Sequence, residues 1–179
     1  MSKKAKREEH FQQVLANKKI IFKICRSYCE HPEDREDLAQ EIIIQLWQSG
    51  DRYDASMKFS TWMYRISLNV AISYHRKQST RLRRLPDAGD VLLELPDDRK
   101  DKTFESDDVR LLYQFIHQLD VLNKALMLLY LEDFSYQDIA EILGISKTNV
   151  ATKISRIKMR LKQDFKTLQQ QERGVSYEP

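Results

Sequence analysis

The stretch FSTWMYRISLNVAISYHRKQ, residues 59–78, constrains the fold more than any other part of the chain. At helical spacing it places Phe59, Trp62, Met63, Ile66 and Val70 on one side, and Tyr64, Leu68 and Ile72 on another. A helix with two apolar stripes cannot lie on a surface; it has to be wedged between neighbours. Between the stripes runs a polar line, Thr61, Arg65, Asn69, Ser73 and Arg76, at spacings of three and four.

The neighbours are legible upstream. Phe11, Val14, Leu15, Ile21, Phe22, Cys25 and Tyr28 recur at helical spacing and predict one helix over residues 8–29. HPEDREDLAQEIIIQLWQ then opens with Pro32 and acids, as a helix start should, and sets Leu38, Ile42 and Leu46 on one line with Ala39, Ile43 and Trp47 beside it. This second helix ends near Gly50, and SGDRYDASMK forms the loop to the third. With only 4 Gly and 4 Pro among 179 residues, of which 32% are charged, the expected class is all-α.

Helical spacing lapses over residues 79–107, which hold Pro86, Gly89 and Pro96. It returns with Leu112, Ile116 and Leu119, then with Leu122, Ala125, Leu126 and Leu129. Two small helical domains are therefore expected, 1–78 and 108–170, with a polar tail over 171–179. A flexible linker joins them over 79–107.

The net charge of +3 conceals blocks of opposite sign. Lys58 to Arg84 holds seven Lys or Arg and no acid, Pro86 to Asp108 nine acids against three bases, and Lys147 to Lys166 seven bases against one acid. Two basic regions separated by an acidic spacer fit two contacts with a polyanion and a tether that avoids it.

SYQDIAEILGISKTNVATKISR, residues 135–156, supplies the second of those contacts. Ser135 can cap a short helix and Asp138 suits its N-terminal end; Ala140 permits a close crossing, Gly144 a left-handed turn, and Ile145 fills the corner. Ser146 caps the next helix, whose Val150, Ile154, Ile157 and Leu161 face inward. That is the packing pattern of a helix-turn-helix. The opposite face carries Ser146, Lys147, Thr148, Asn149, Thr152, Lys153, Ser155 and Arg156, side chains able to reach base edges and phosphates in a major groove.

Taken together, DLAQEIIIQLW, then FSTWMYRISLNVAISYHRKQ, then the helix-turn-helix resemble bacterial RNA polymerase sigma factors of the extracytoplasmic-function group over about residues 10–166. The resemblance implies that Asp37, Gln40, Glu41, Leu46 and Trp47 bind core RNA polymerase at the clamp of its large subunit, with a second contact at the flap region. It implies that the C-terminal domain reads the minus-thirty-five duplex. Lys58, Phe59, Thr61, Arg65, Asn69, Ser73, Arg76 and Lys77 would face the minus-ten single strand, and the loop from Asp51 to Lys58 would cradle its flipped base. Cations hold the backbone in such a site while an aromatic surface takes the unpaired base. Trp62, Met63 and Ile66 are expected in the core. Many relatives have a dedicated anti-sigma factor, which nothing in this sequence encodes.

The chain departs from the family where a Leu-Pro pair commonly opens the second domain, since Asp120 stands in the proline's place. It departs again at Thr148 to Lys153, so the family's promoter preference does not carry over. The rival reading is a helix-turn-helix regulator that binds DNA without joining the polymerase; the acidic EDREDLAQE segment beside an apolar ridge argues against it. An enzyme is disfavoured, because there is no glycine-rich phosphate loop and no defensible catalytic or metal-ligand spacing among His10, His31, His75 and His117. Cys25 and Cys29, with His31 nearby, make a poor zinc site and read as reduced core thiols. No cofactor is expected. No apolar run is long enough to insert in a membrane, which predicts a cytoplasmic protein.

Overall fold

The computed structural model describes the backbone of residues 3–83 and 107–174 and the side chains of residues 7–77 and 109–166. The expected linker falls largely outside the described residues. Among those described, every regular element is helical. The helices are α1 (Lys3–Ala16), α2 (Lys18–Tyr28), α3 (Pro32–Ser49), α4 (Phe59–Arg83), α5 (Asp107–His117), α6 (Val121–Leu131), α7 (Tyr136–Leu143) and α8 (Lys147–Gly174), with a 3-10 turn at Gly50–Arg52. By packing, the chain divides into two compact units, residues 1–124 and 125–179.

In the first unit α4 lies against both α2 and α3. Met63, Tyr64, Leu68 and Ala71 of α4 are buried with Ile21, Ile24 and Cys25 of α2 and Leu38, Ile42 and Leu46 of α3. Trp62 and Met63 join this core as expected, while Ile66 is only half-buried. Fully burying one such apolar side chain contributes roughly 1.5–3 kcal/mol. α3 begins with Pro32 in its first turn followed by Glu33 and Asp34, and it also stabilises the end of α2. Arg35 donates from Nε to the Cys29 carbonyl at 2.9 Å and from Nη2 to the Glu30 carbonyl at 2.9 Å, satisfying acceptors beyond the last turn of that helix.

The single helix expected over 8–29 is instead two. The break comes at Asn17, whose backbone leaves helical geometry at ψ 18°. Its side-chain amide donates to the Gln13 carbonyl at 2.9 Å, the acceptor its own backbone N–H also approaches at 3.2 Å. An Asn side chain competing for backbone acceptors is a known weakness in a helix interior. The apolar period continues across the break, so periodicity alone conceals it.

α5 and the first turn of α6 also belong to the first unit. The Arg26 guanidinium lies 4.3 Å from the centre of the Tyr113 ring, and the Tyr28 hydroxyl donates to the Val121 carbonyl at 2.8 Å. Asp120 supplies the start of α6. Its carboxylate accepts from the backbone N–H groups of Leu122 and Asn123 at 3.1 and 3.0 Å, capping α6.

Cys25 and Cys29 are free and buried. Burial pushes their thiols up to about 12 and about 11, which leaves them un-ionised and poor as nucleophiles or ligands.

His117 carries a pH dependence. Burial, helped by the Lys124 ammonium, pushes its imidazole down from 6.5 to about 4. The folded state therefore holds it neutral, and this contribution to stability is intact above pH 6.5 and is lost as pH falls toward 4. After solvent screening the loss is on the order of 2 kcal/mol. Urea midpoints measured above and below that window should show the drop, and His117→Gln should shrink it.

Candidate nucleic-acid interface

The second unit is built around one turn. Ser135 caps α7 in a complete capping box: its hydroxyl accepts from the Asp138 N–H at 3.1 Å, while the Asp138 carboxylate accepts from the Ser135 N–H at 3.2 Å. α7 stops at Gly144, whose φ of 67° and ψ of 36° lie in the left-handed region. A Cβ there would touch nothing within 4 Å, so glycine is favoured for its backbone freedom and not for space. The Ser146 hydroxyl then accepts from the Asn149 N–H at 3.2 Å and starts α8.

Val150, Ile154 and Ile157 of α8 are buried with Ile139, Ala140 and Ile142 of α7 and with Leu126 and Leu129 of α6. Leu161 is half-buried. This fixes the rotation of α8 and leaves Ser146, Lys147, Thr148, Asn149, Thr152, Ser155 and Arg156 exposed, with Lys153 half-buried. The Thr152 hydroxyl donates to the Thr148 carbonyl at 2.9 Å, which leaves its oxygen free to accept. Lys158 reaches back to α6. Its ammonium donates to the Tyr130 hydroxyl at 3.1 Å, and that bond raises its affinity for the proton. Sequence alone gave no sign of this pairing.

In the first unit, Asp37, Gln40 and Glu41 are exposed along α3. Trp47 is 38% exposed and packs perpendicular to Phe11 of α1 at 5.1 Å between ring centres, whereas Leu46 is fully buried. Ile44, 54% exposed, extends the apolar surface beside Trp47. Ile44, Glu41 and Gln45 also form one wall of a groove of about 460 Å³. Ile66, Asn69, Val70, Ser73 and Lys77 of α4 form the other wall. The groove thus brings three residues of the α4 polar face together with one carboxylate of the α3 acidic face.

Lys58 and Arg76 are exposed, Thr61 and Arg65 half-buried. Phe59 sits at the mouth of the Asp51–Lys58 loop in an aromatic cluster with Tyr53, Trp62 and His10, its ring centre 5.3, 5.4 and 5.2 Å from theirs. His10 was missed as part of this region by sequence reasoning; the only trace of it is the period of α1.

Comparison with known proteins agrees with this arrangement. The sigma-70 region 2 family model matches residues 14–81, and the sigma-70 region 4 model matches residues 110–161. The extracytoplasmic-function sigma-E factor of Haemophilus influenzae is 31% identical over 136 residues, 69% of this chain and 70% of that protein. The chain belongs to the extracytoplasmic-function sigma factors. SigW of Bacillus subtilis, of the same group, is 26% identical over 159 residues, covering 83% of this chain and 84% of its own. The sigma factor RpoE of Bartonella quintana, solved in complex with the anti-sigma factor NepR, shares the fold. Its TM-score is 0.69 at 19% identity, covering 87% of this chain and 95% of that one.

The protein is therefore a sigma subunit that directs core RNA polymerase to promoters, and a DNA-only regulator is not favoured. Its partners are core RNA polymerase and promoter DNA. No helix among the described residues is long and apolar enough to cross a membrane.

The capping box fixes the start of α7, the helix against which α8 packs. Ser135→Ala should destabilise the helix-turn-helix by about 1 kcal/mol. Denaturant unfolding followed by circular dichroism checks this, with Ser135→Thr, which keeps the capping hydroxyl, as the comparison that should hold most of the stability.

Proposed function

We propose that residues 108–170 read the minus-thirty-five duplex through α8, and that residues 1–78 dock on core polymerase through α3 and hold the minus-ten strand along α4. The observation that supports this reading is the exposed face carrying Ser146, Lys147, Thr148, Asn149, Thr152, Ser155 and Arg156 behind the buried seam of Val150, Ile154 and Ile157. Asn149 and Arg156 are its base readers, because an amide can pair bidentately with adenine and a guanidinium with guanine. Lys147 and Lys153 flank them as phosphate contacts.

On α3, Asp37, Gln40, Glu41 and Trp47 form the docking surface on the polymerase clamp, with Leu46 supporting them from the core. On α4, Asn69, Ser73, Arg76 and Lys77 track the separated strand, and Lys58, Phe59, Thr61 and Arg65 receive it where it leaves the loop. The protein works in the cytoplasm as a non-enzymatic subunit without a cofactor. By likeness to the Bartonella quintana protein, a dedicated anti-sigma factor is a further partner.

Run-off transcription with purified core polymerase and a genomic fragment library tests polymerase binding, melting and sequence choice at once, and it yields a promoter whose elements serve as binding probes. Asp37→Ala with Glu41→Ala should remain folded and weaken core binding by about 2 kcal/mol. Wild-type affinity for core polymerase in that double variant would remove the docking assignment.

Asn149→Ala and Arg156→Ala should each cost about 1–3 kcal/mol on the matched minus-thirty-five duplex and relax sequence choice at one or two positions. Lys162→Ala and Lys166→Ala should instead weaken binding evenly across sequences, each lowering the logarithmic salt slope by roughly 0.9. Holoenzyme binding to matched and scrambled duplexes over a range of salt separates the two classes.

A further inference from the structure

The loop from Asp51 to Lys58 is ordered by its own bonds. The Asp54 carboxylate accepts from the Ser56 N–H at 2.9 Å, the Met57 N–H donates to the Asp54 carbonyl at 3.1 Å, and the Tyr53 hydroxyl donates to the Met57 carbonyl at 2.8 Å. A loop that is rigid within itself still has to be aimed, and the groups that can aim it come from α1, far away in sequence.

Arg7 grips Asp51 with both arms of its fork, Nη2 to Oδ2 at 2.5 Å and Nε to Oδ1 at 3.3 Å. One turn on, the His10 ring enters the aromatic cluster, 4.8 Å from Trp62, 5.2 Å from Phe59 and 5.9 Å from Tyr53 between ring centres. Gly50 makes room for it: a Cβ on Gly50 would lie 2.7 Å from His10 Cδ2, although the backbone there is ordinary, with φ −55°. His10 Nε2 is buried and has no hydrogen-bond partner among the described residues, so the ring is held by shape. A continuous path results, from Arg7 and His10 through Asp51 and Tyr53 to Met57 at the far end of the loop.

We propose that Arg7 and His10 of α1 are positioning residues for the loop 51–58, fixing the geometry in which it receives an unpaired minus-ten base. The inference rests on the reading that this loop takes that base. An exposed ion pair adds little to overall stability, but a two-point fork sets direction, and direction is what a base-capturing loop requires.

The test uses holoenzyme made with the full chain. The probe is a single-stranded oligonucleotide carrying the non-template minus-ten strand of a promoter recovered by run-off transcription. Affinity for that probe is measured beside affinity for core polymerase and for the minus-thirty-five duplex. Arg7→Ala should weaken strand binding about three- to fivefold and leave the other two affinities unchanged. Arg7→Lys should recover part of the loss, and Arg7→Ala combined with Asp51→Ala should be no weaker than either alone. Gly50→Ala, which crowds the His10 ring and replaces neither member of the ion pair, should weaken strand binding in the same direction.

A loop variant with residues 54–57 replaced by glycine serves as the control. If it loses strand binding while Arg7→Ala and Gly50→Ala bind as wild type, the positioning role is overturned and the loop reading stands. If the loop variant also binds as wild type, the loop reading itself fails and the inference with it. Additive losses in the Arg7, Asp51 double variant would equally overturn the proposal, since the two residues would then act separately.

Discussion

The burial of α4 between α2 and α3 is the constraint on which the N-terminal unit depends. Met63, Tyr64, Leu68 and Ala71 are almost completely withdrawn from water, so the rotation of the helix about its axis is set by packing. Once that rotation is fixed, Asn69, Ser73, Arg76 and Lys77 can only point outward. The basic surface is thus a consequence of the core: Arg76 and Lys77 stay in water while Met63, Tyr64, Leu68 and Ala71 are buried. A side chain that tilted α4 by a fraction of a turn would disturb core and interface together.

The same logic explains which features the sequence made legible. Period, cap and turn chemistry are local, and α3, α4, α7 and α8 begin or end close to where those signals lie. Ser135, Gly144 and Ser146 each act within a few residues of themselves, as their hydrogen bonds and dihedral angles show. The break at Asn17 was hidden because the apolar period runs through it, and only the competition for the Gln13 carbonyl reveals it. The pairs Arg7 with Asp51, Tyr28 with Val121 and Lys158 with Tyr130 join residues far apart in the chain. No local pattern encodes such contacts. Leu46 and Trp47 make the point within one helix: neighbours in sequence and alike in the family pattern, one is fully buried and the other exposed.

Gly50 and Gly144 divide between two physical reasons for the residue. Gly144 has open space where a side chain would go but a backbone that L-residues rarely adopt. Gly50 has an ordinary backbone and no space, because the His10 ring fills it. Substituting the first strains the turn that presents α8; substituting the second moves a ring that belongs to another helix. A glycine in a sequence therefore signals a constraint without saying whether the cause is local or distant.

The length of α8 separates its tasks. At about 1.5 Å of rise per residue, Asn149 and Arg156 lie roughly 10 Å apart, whereas Asn149 and Lys166 lie roughly 25 Å apart. A major groove about 12 Å wide accommodates the first pair together and not the second. On the reading proposed above, the exposed polar and cationic groups of this helix fall into a proximal set able to share one stretch of groove and a distal set beyond it. Lys158 lies between the two sets, with its ammonium on Tyr130. A cation held at that junction by an intramolecular bond cannot leave for a phosphate without giving up its phenol partner.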